Sequence, residues 1–137
     1  MAFKVNKGRV VRRWYPVTPS TAIAAGAIVS WSSGKLIAAT SSTANITHAG
    51  VLEKTIAATD DDYASDRLVS VLVPIEKNVV WEGDVTSGLV AADVGLEQDL
   101  TDASTVNRGA SSVDVAQCVG VISTTKGLFH IKIGGSY

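Results

Sequence analysis

The chain of 137 residues is long enough for one hydrophobic core and short for two, which favours a single compact domain. Apolar residues make up 46% of it and charged residues 18%, a balance too hydrophobic for a disordered segment. The longest apolar run, Ala22–Val29, is far shorter than the roughly 18 residues of a membrane-spanning helix. The start at Met1 lacks the apolar stretch of a signal peptide, and the lone Cys118 has no internal disulfide partner. These features favour a cytoplasm-like compartment over secretion or a membrane.

Charge is distributed unevenly along the chain, although the formal net charge is only -1. No Asp or Glu precedes Glu53. The basic residues upstream of it are Lys4, Lys7, Arg9, Arg12, Arg13 and Lys35. A basic first segment followed by an acidic remainder favours an N-terminal arm that meets an acidic surface, on a partner or on a neighbouring copy. The alternative is a solvated, flexible terminus.

Short runs rich in Val, Ile and Thr recur between clusters of Gly, Ser, Asp and Asn, whereas helical periodicity is nearly absent. Ala27–Trp31 and Lys35–Ala39 flank Gly34, which can supply the positive φ of a tight hairpin. Arg67–Val73 is the most apolar of the predicted strands, and Pro74 ends it. The pattern predicts an all-β fold, either a single small β-barrel or a β-sandwich.

A weak repeat links the two halves of the chain. Gly26 opens a segment that ends in Ala49–Leu52, and Gly95 opens one that ends in Val119–Ile122. A polar loop and an apolar strand follow each segment; the two strands are Leu68–Val73 and Leu128–Ile133. Residues 21–137 are therefore expected to form one β-barrel domain. Two similar β units within it are one option, and a chance similarity is the other.

Residues 1–20 are predicted to form an extended basic arm that precedes this domain. Pro16 and Pro19 favour an extended path. Arginine and aromatic side chains are enriched at protein interfaces. The predicted contact residues are Lys4, Lys7, Arg9, Arg12, Arg13, Trp14 and Tyr15. The alternative is that the two aromatic residues simply cover one end of the barrel.

No residue pattern nominates a catalytic or metal site. His48 and His130 lie outside any recognised motif; we expect His48 in a turn and His130 on the polar face of a strand. The apolar neighbours of Cys118 predict a buried structural thiol, and one cysteine with two distant histidines does not make a zinc site. We therefore expect no enzyme activity, no cofactor and no metal.

Two segments share only some features of ligand-binding loops. Ser33–Leu36 lacks the preceding glycine and the hydroxyl residue of a P-loop, so it is predicted to be a hairpin turn. Asp60–Asp62 with Asp66 is the one carboxylate cluster, but it lacks the spacing of an EF-hand. We expect a solvated loop there, with calcium or a basic partner as the alternatives.

The order of features along about half of the chain resembles a broad group of tailed-bacteriophage head decoration (cement) proteins. The pattern is a glycine-led strand, a hairpin, a second strand, a Gly-Val step and an apolar strand. It runs through Ala25–Val29, Gly34–Thr40, Ala49–Leu52 and Val71–Pro74. The resemblance implies a structural protein that is made in the host cytoplasm and resides on the outer capsid surface of the virion.

The same resemblance implies that the partner is the major capsid protein and that the chain forms a homo-oligomer, with a trimer favoured. Such a protein stabilises an assembled shell because it binds only that lattice and bridges adjacent subunits. The arm from Lys4 to Tyr15 would then lie on the capsid or on a neighbouring copy. The alternatives are a tail-tube or head-completion protein, and a nucleic-acid-binding β-barrel that uses the basic arm. The acidic remainder of the chain disfavours nucleic acid, and no membrane is expected as a partner.

Overall fold

The computed structural model of the protein describes residues 3–137. Within them the strands are β1 (Lys4–Lys7), β2 (Val10–Val17), β3 (Ile28–Ser32), β4 (Lys35–Ala38), β5 (His48–Leu52), β6 (Arg67–Pro74), β7 (Val80–Val85), β8 (Glu97–Asp102), β9 (Thr105–Asn107), β10 (Ala116–Ser123) and β11 (Lys126–Ile131). One-turn 3-10 helices precede β5 and β8, at Asn45–Thr47 and Ala91–Asp93. The predicted all-β class is confirmed.

The strands form two closed barrels of five strands each. Barrel 1 has the order β2-β4-β3-β5-β6, and barrel 2 has the order β7-β9-β8-β10-β11. In barrel 1 the pairing of β2 with β4 is parallel and the others are antiparallel. Barrel 2 repeats this scheme, with a parallel pairing of β7 with β9. A single barrel was expected, whereas the chain forms two barrels with the same topology.

The equivalence of the two barrels extends to single residue pairs. Val17 of β2 pairs with Leu36 of β4, and the N–H of Thr18 donates to the Leu36 carbonyl at 3.0 Å. In barrel 2, Val85 of β7 pairs with Val106 of β9, and the next N–H, of Thr86, donates to the Val106 carbonyl at 3.1 Å. Val17 and Val85 are therefore equivalent positions.

The barrels pack against each other through a shared hydrophobic core. Ile28 and Val51 of barrel 1 belong to the same buried cluster as Trp81 and Phe129 of barrel 2. A second cluster fills the interior of barrel 1; its members include Val17, Val29, Leu36, Leu52 and Val71. Two five-stranded barrels in so short a chain have little interior of their own, and the shared core gives both more apolar burial.

The N-terminal segment lies within the sheets and does not form the separate arm that we expected over residues 1–20. β1 pairs antiparallel with β7 of barrel 2, and β2 pairs with β6 along its whole length. Gly8, with a φ of +108°, carries the chain from one barrel to the other. The barrel region therefore begins before residue 21, at β1, and residues 1–2 of the predicted arm lie outside the described residues.

Pro16 illustrates why the prolines did not separate an arm from the barrel. It lies opposite Leu68 in the pairing of β2 with β6. Two residues on, Thr18 directs its N–H away from β6, towards β4. Because alternate strand residues direct their backbone groups to the same edge, the nitrogen of Pro16 also faces away from β6. The missing N–H therefore costs the β2–β6 ladder no hydrogen bond.

The local turn predictions are confirmed where the glycine pattern was clear. Ser33 and Gly34 connect β3 to β4 with φ values of +51° and +80°, as a tight hairpin requires. β6 ends at Pro74. No helix within residues 3–137 has the length and apolar character needed to cross a membrane.

Candidate functional site

The outer face of barrel 1 carries an exposed aromatic residue, Trp14. Trp14 of β2 is 57% exposed and Leu68 of β6 is 58% exposed, although both are large apolar side chains. They line a shallow groove of about 230 Å³ together with the segment that follows β5. We call this surface the Trp14 face and define it by Trp14, Lys54, Thr55, Arg67 and Leu68. It combines an indole, an aliphatic side chain and two cations.

Arg12 lies beside the Trp14 face and is held by a carboxylate. Its Nε and Nη2 atoms donate to the two oxygens of Glu53 at 2.5 and 2.7 Å. The hydrogen bonds and charge of Glu53 raise the pKa of Arg12, and the hydrogen bond from Arg12 lowers the pKa of Glu53. This bidentate pair fixes the guanidinium in one orientation on the surface.

The other basic residues of the N-terminal segment fall into two groups. Lys4 contacts Glu82 at 3.7 Å, and Arg9 contacts Glu76 at 3.3 Å. Lys7 and Arg13 are exposed and form no side-chain hydrogen bond or ion pair with another residue of the described range 3–137. The segment thus carries fewer free cations than its sequence indicates.

Tyr15 points to the opposite side of β2 from Trp14. Its ring lies 4.8 Å from the ring of Trp31 on β3, with the two planes inclined at 59°. Tyr15 also packs against the interior cluster of barrel 1. Because side chains alternate along a strand, the predicted contact residues of β2 lie on two faces. Arg12 and Trp14 share one face, and Arg13 and Tyr15 share the other.

Sequence reasoning missed Lys54 and Leu68, which the fold brings next to Trp14. Trp14 pairs with Ser70 of β6, and Leu68 lies two residues before Ser70 on the same face. Leu68 is exposed while Val69, Ser70 and Val71 are buried, so no simple alternation along β6 identified Leu68 as an exposed residue. The position of Lys54 depended on the pairing of β5 with β6, which the sequence alone does not give.

Barrel 2 carries a second exposed apolar surface. Segment 89–96 runs along β10, because the N–H of Leu89 donates to Thr124 at 3.0 Å and that of Gly95 donates to Cys118 at 2.7 Å. We call this region the barrel 2 apolar surface; its residues are 38% to 54% exposed. They are Val90, Val94, Leu96, Val121 and Ile122.

The histidines and the cysteine lie in different surroundings. His48 is buried at the start of β5, not in a turn, and its Nδ1 lies 3.2 Å from the carbonyl oxygen of Lys132. Burial lowers the pKa of His48 and of the half-buried His130. Burial likewise raises the pKa of the Cys118 thiol, which is enclosed as predicted. No group of three metal-ligating side chains occurs within residues 3–137.

The carboxylate cluster is ordered by an arginine. Arg67 contacts Asp62 and, at 3.2 Å, Asp60. The N–H of Ala57 donates to Asp60 at 3.0 Å, and this bond together with Arg67 lowers the pKa of Asp60. The loop lies beside the Trp14 face, and Asp61, Asp62 and Asp66 are exposed, as expected of a solvated loop; the ion pairs with Arg67 were not predicted.

Comparison with known proteins gives no assignment. No protein-family model matches the chain, and a search of curated proteins finds no match.

Proposed function

We propose that the chain is a head decoration protein that binds the outer surface of an assembled tailed-phage capsid and bridges neighbouring major capsid subunits. The observation that carries the proposal is the Trp14 face, where Trp14 and Leu68 are exposed on a β-sheet beside Lys54 and Arg67. Tryptophan is among the residues that contribute most to binding at protein interfaces. Contiguous apolar surface on a folded domain marks an interaction site.

The two-barrel architecture supports bridging in particular. A bridging protein needs two separate contact surfaces, and each barrel carries one, the Trp14 face and the barrel 2 apolar surface. The shared core through Ile28 and Trp81 holds the barrels together, so two subunits bound at once are tied to each other. The second contact then forms at high effective concentration, which raises the overall affinity for the assembled lattice.

Binding to nucleic acid is less well supported. Lys4, Arg9 and Arg12 each pair with a carboxylate of the same chain. Barrel 2, from β7 to β11, contains seven acidic and two basic residues, a formal charge of 2 − 7 = −5. A polyanion would have to displace the ion pairs and approach an acidic barrel, which offsets counterion release.

Cosedimentation with emptied, expanded phage heads tests the proposal. The protein is expected to sediment with the heads, saturably, and to stay in the supernatant with unassembled capsid protein. A protein that remains in the supernatant at every concentration is not a decoration protein. Negative-stain microscopy of the protein alone separates the tail-tube alternative, because rings or tubes formed without heads would favour that role.

Single substitutions locate the contact. Trp14→Ala and Leu68→Ala are each expected to weaken binding to heads about tenfold or more, as central apolar contacts do. Ile75→Ala is the matched control, because Ile75 is also an exposed aliphatic side chain but lies outside both surfaces. Equal affinities of all three variants would remove the Trp14 face from the proposal.

A further inference from the structure

β2 has one strand edge that is only partly paired. One edge pairs with β6 from Val10 to Val17, and within residues 3–137 the other edge pairs with β4 at Val17 alone. Thr18 directs its N–H to this second edge. Because backbone groups alternate along a strand, Trp14 and Arg12 direct their N–H and carbonyl groups to the same edge. Four backbone groups of exposed residues are therefore open to an additional strand.

The equivalent edge in barrel 2 is occupied. β9 pairs with β7 at Asp84 and Val85, and β1 continues along the same edge, where Lys4 pairs with Glu82 and Lys7 with Val80. Since Val17 is equivalent to Val85, counting back along the strands makes Trp14 equivalent to Glu82 and Arg12 equivalent to Val80. Val80 and Glu82 pair with β1 in barrel 2. The equivalent residues in barrel 1, Arg12 and Trp14, are the two with open backbone groups.

We propose that the open edge of β2 accepts an extended acidic segment of the partner protein as an additional β-strand. Strand addition uses main-chain hydrogen bonds for affinity and side chains for specificity. In barrel 2, β7 carries Glu82 and Asp84 and pairs with the basic strand β1. β2 carries Arg12 and Arg13 and no acidic residue. A strand that pairs with it is therefore expected to be acidic, where the strand that pairs with β7 is basic.

Arg13 is the side chain that selects the acidic partner. It is exposed on β2 and makes no side-chain hydrogen bond or ion pair within the described chain, whereas Arg12 is neutralised by Glu53. The β1 strand of a second copy does not fit, because it is basic, as β2 is, so that its Lys7 would lie opposite Arg12, and because it is already paired with β7.

The inference rests on the proposed function for the identity of the partner, while the edge itself can be tested without capsids. The probe is a blocked seven-residue peptide that alternates Val and Glu, compared with one that alternates Val and Lys. Hydrogen exchange by NMR reports the amides of Arg12 and Trp14. The Val80 and Glu82 amides serve as the internal reference, because β1 covers them.

In the free protein the Arg12 and Trp14 amides are expected to exchange at least tenfold faster than the Val80 and Glu82 amides. Saturating Val-Glu peptide should slow the first pair at least tenfold and leave the second pair unchanged. The Val-Lys peptide should bind at least tenfold more weakly. No protection of Arg12 and Trp14, or equal binding of both peptides, overturns the inference.

One protein variant and one modified peptide test the inference further. Arg13→Glu is expected to reverse the preference towards the Val-Lys peptide, with unchanged far-ultraviolet circular dichroism. If this variant does not fold, N-methylation of alternate peptide positions tests the backbone pairing instead, because only methylation at positions whose N–H groups face β2 should abolish binding.

A competition assay separates this inference from the proposed function. The Val-Glu peptide is expected to displace the protein from phage heads. If the peptide protects the edge but the protein never binds heads, the proposed function fails and the edge assignment stands. If heads bind the protein equally with and without saturating peptide, the partner does not use this edge.

Discussion

Gly26 of barrel 1 and Gly95 of barrel 2 occupy the same position. The N–H of Gly26 donates to the Leu52 carbonyl at 2.7 Å, and the N–H of Gly95 donates to the Cys118 carbonyl at 2.7 Å. Both glycines have positive φ, +82° and +92°. The barrels therefore share this turn as well as their strand order. A contact that occurs in only one barrel marks a structural difference between them.

The contact of Phe3 with Gly83 is one such difference. Phe3 immediately precedes β1, and its ring packs against Gly83 of β7 in barrel 2. A Cβ on Gly83 would lie 2.4 Å from a ring carbon of Phe3. We expect Gly83→Ala to lower the free energy of unfolding by about 2–3 kcal/mol, because the ring cannot move within a packed core. Urea denaturation measures the change.

The matched control for that substitution is Gly120→Ala. A Cβ at Gly120 would meet the end of the flexible Leu128 side chain at 3.2 Å, so we expect a smaller loss, below about 1 kcal/mol. Phe3→Leu should partly rescue Gly83→Ala. Equal losses at the two glycines would contradict the assigned role of Phe3.

The ring contact of Tyr15 with Trp31 bridges β2 and β3 on the side where β2 is only partly paired with β4. A double-mutant cycle with Tyr15→Ala and Trp31→Ala is expected to give a coupling energy of about 0.5–1.5 kcal/mol, as tilted aromatic pairs do. Additive effects of the two substitutions would show that the rings do not stabilise each other.

Asp99 is predicted to make stability depend on acid pH. Burial tends to raise its pKa, but the N–H groups of Ser112, Asp114 and Val113 donate to its carboxylate, each at 2.8 Å, and the net pKa is lowered. The unfolded state then binds the proton more tightly. This stabilisation is fully present above about pH 4 and is lost as the pH falls through the lower folded pKa.

The substitution that tests this prediction is Asp99→Asn. It replaces a carboxylate oxygen, which accepts hydrogen bonds, with an NH2 group that faces backbone N–H donors. We expect it to cost about 2–3 kcal/mol at pH 7 and less at pH 2, because the wild-type protein loses the stabilisation from the Asp99 carboxylate as the pH falls. Urea denaturation at the two pH values measures both. Asp61→Asn, at an exposed aspartate, is the control. A cost independent of pH would mean that the charge of Asp99 plays no part.

His48 is predicted to add a second pH dependence at higher pH. Because burial lowers its pKa, the folded state favours neutral imidazole, and the unfolded state takes up a proton first. Its contribution to stability is fully present above about pH 6.5 and declines as the pH falls towards the lower folded pKa. Thermal unfolding of His48→Gln should therefore vary less between pH 7 and pH 5 than that of the wild type.

His130 needs a separate control, because burial lowers its pKa in the same direction. His130→Gln should retain most of the wild-type pH dependence, since His130 is only half-buried whereas His48 is enclosed. If His130→Gln alone flattens the profile, the assignment to His48 is wrong.

The sequence predicted most of the strands but not how many barrels they build. A continuous apolar run predicted β6, and the glycine pattern predicted the hairpin at Gly34, because strand propensity and turn geometry are set by near neighbours. The weak repeat aligned Leu52 with Ile122, whereas the hydrogen bonds align Leu52 with Cys118. The four-residue error arises because β10 continues past that point with two irregularities in its pairing with β11, which no local pattern reveals.

The candidate site was predicted only in part. Trp14 and Arg12 were selected by composition, and both are exposed. Their neighbours Lys54 and Leu68 come from strands far along the chain, so they depended on the register of β2 with β6 and of β6 with β5. The ion pair of Arg12 with Glu53 spans 41 residues for the same reason.

The attachment of β1 to barrel 2 sets an order of events during synthesis. Residues 4–7 leave the ribosome before their partner β7, which begins at Val80 and, at about 5–20 residues per second, follows several seconds later. Barrel 1 is complete at Pro74, just before β7 begins, and can close while barrel 2, whose last strand ends at Ile131, is still being synthesised. β1 meanwhile remains an unpaired strand, and Lys4 and Lys7 give it the charge that discourages pairing with the wrong chain. The pairing of β1 with β7 is thus expected to form after barrel 1 has folded.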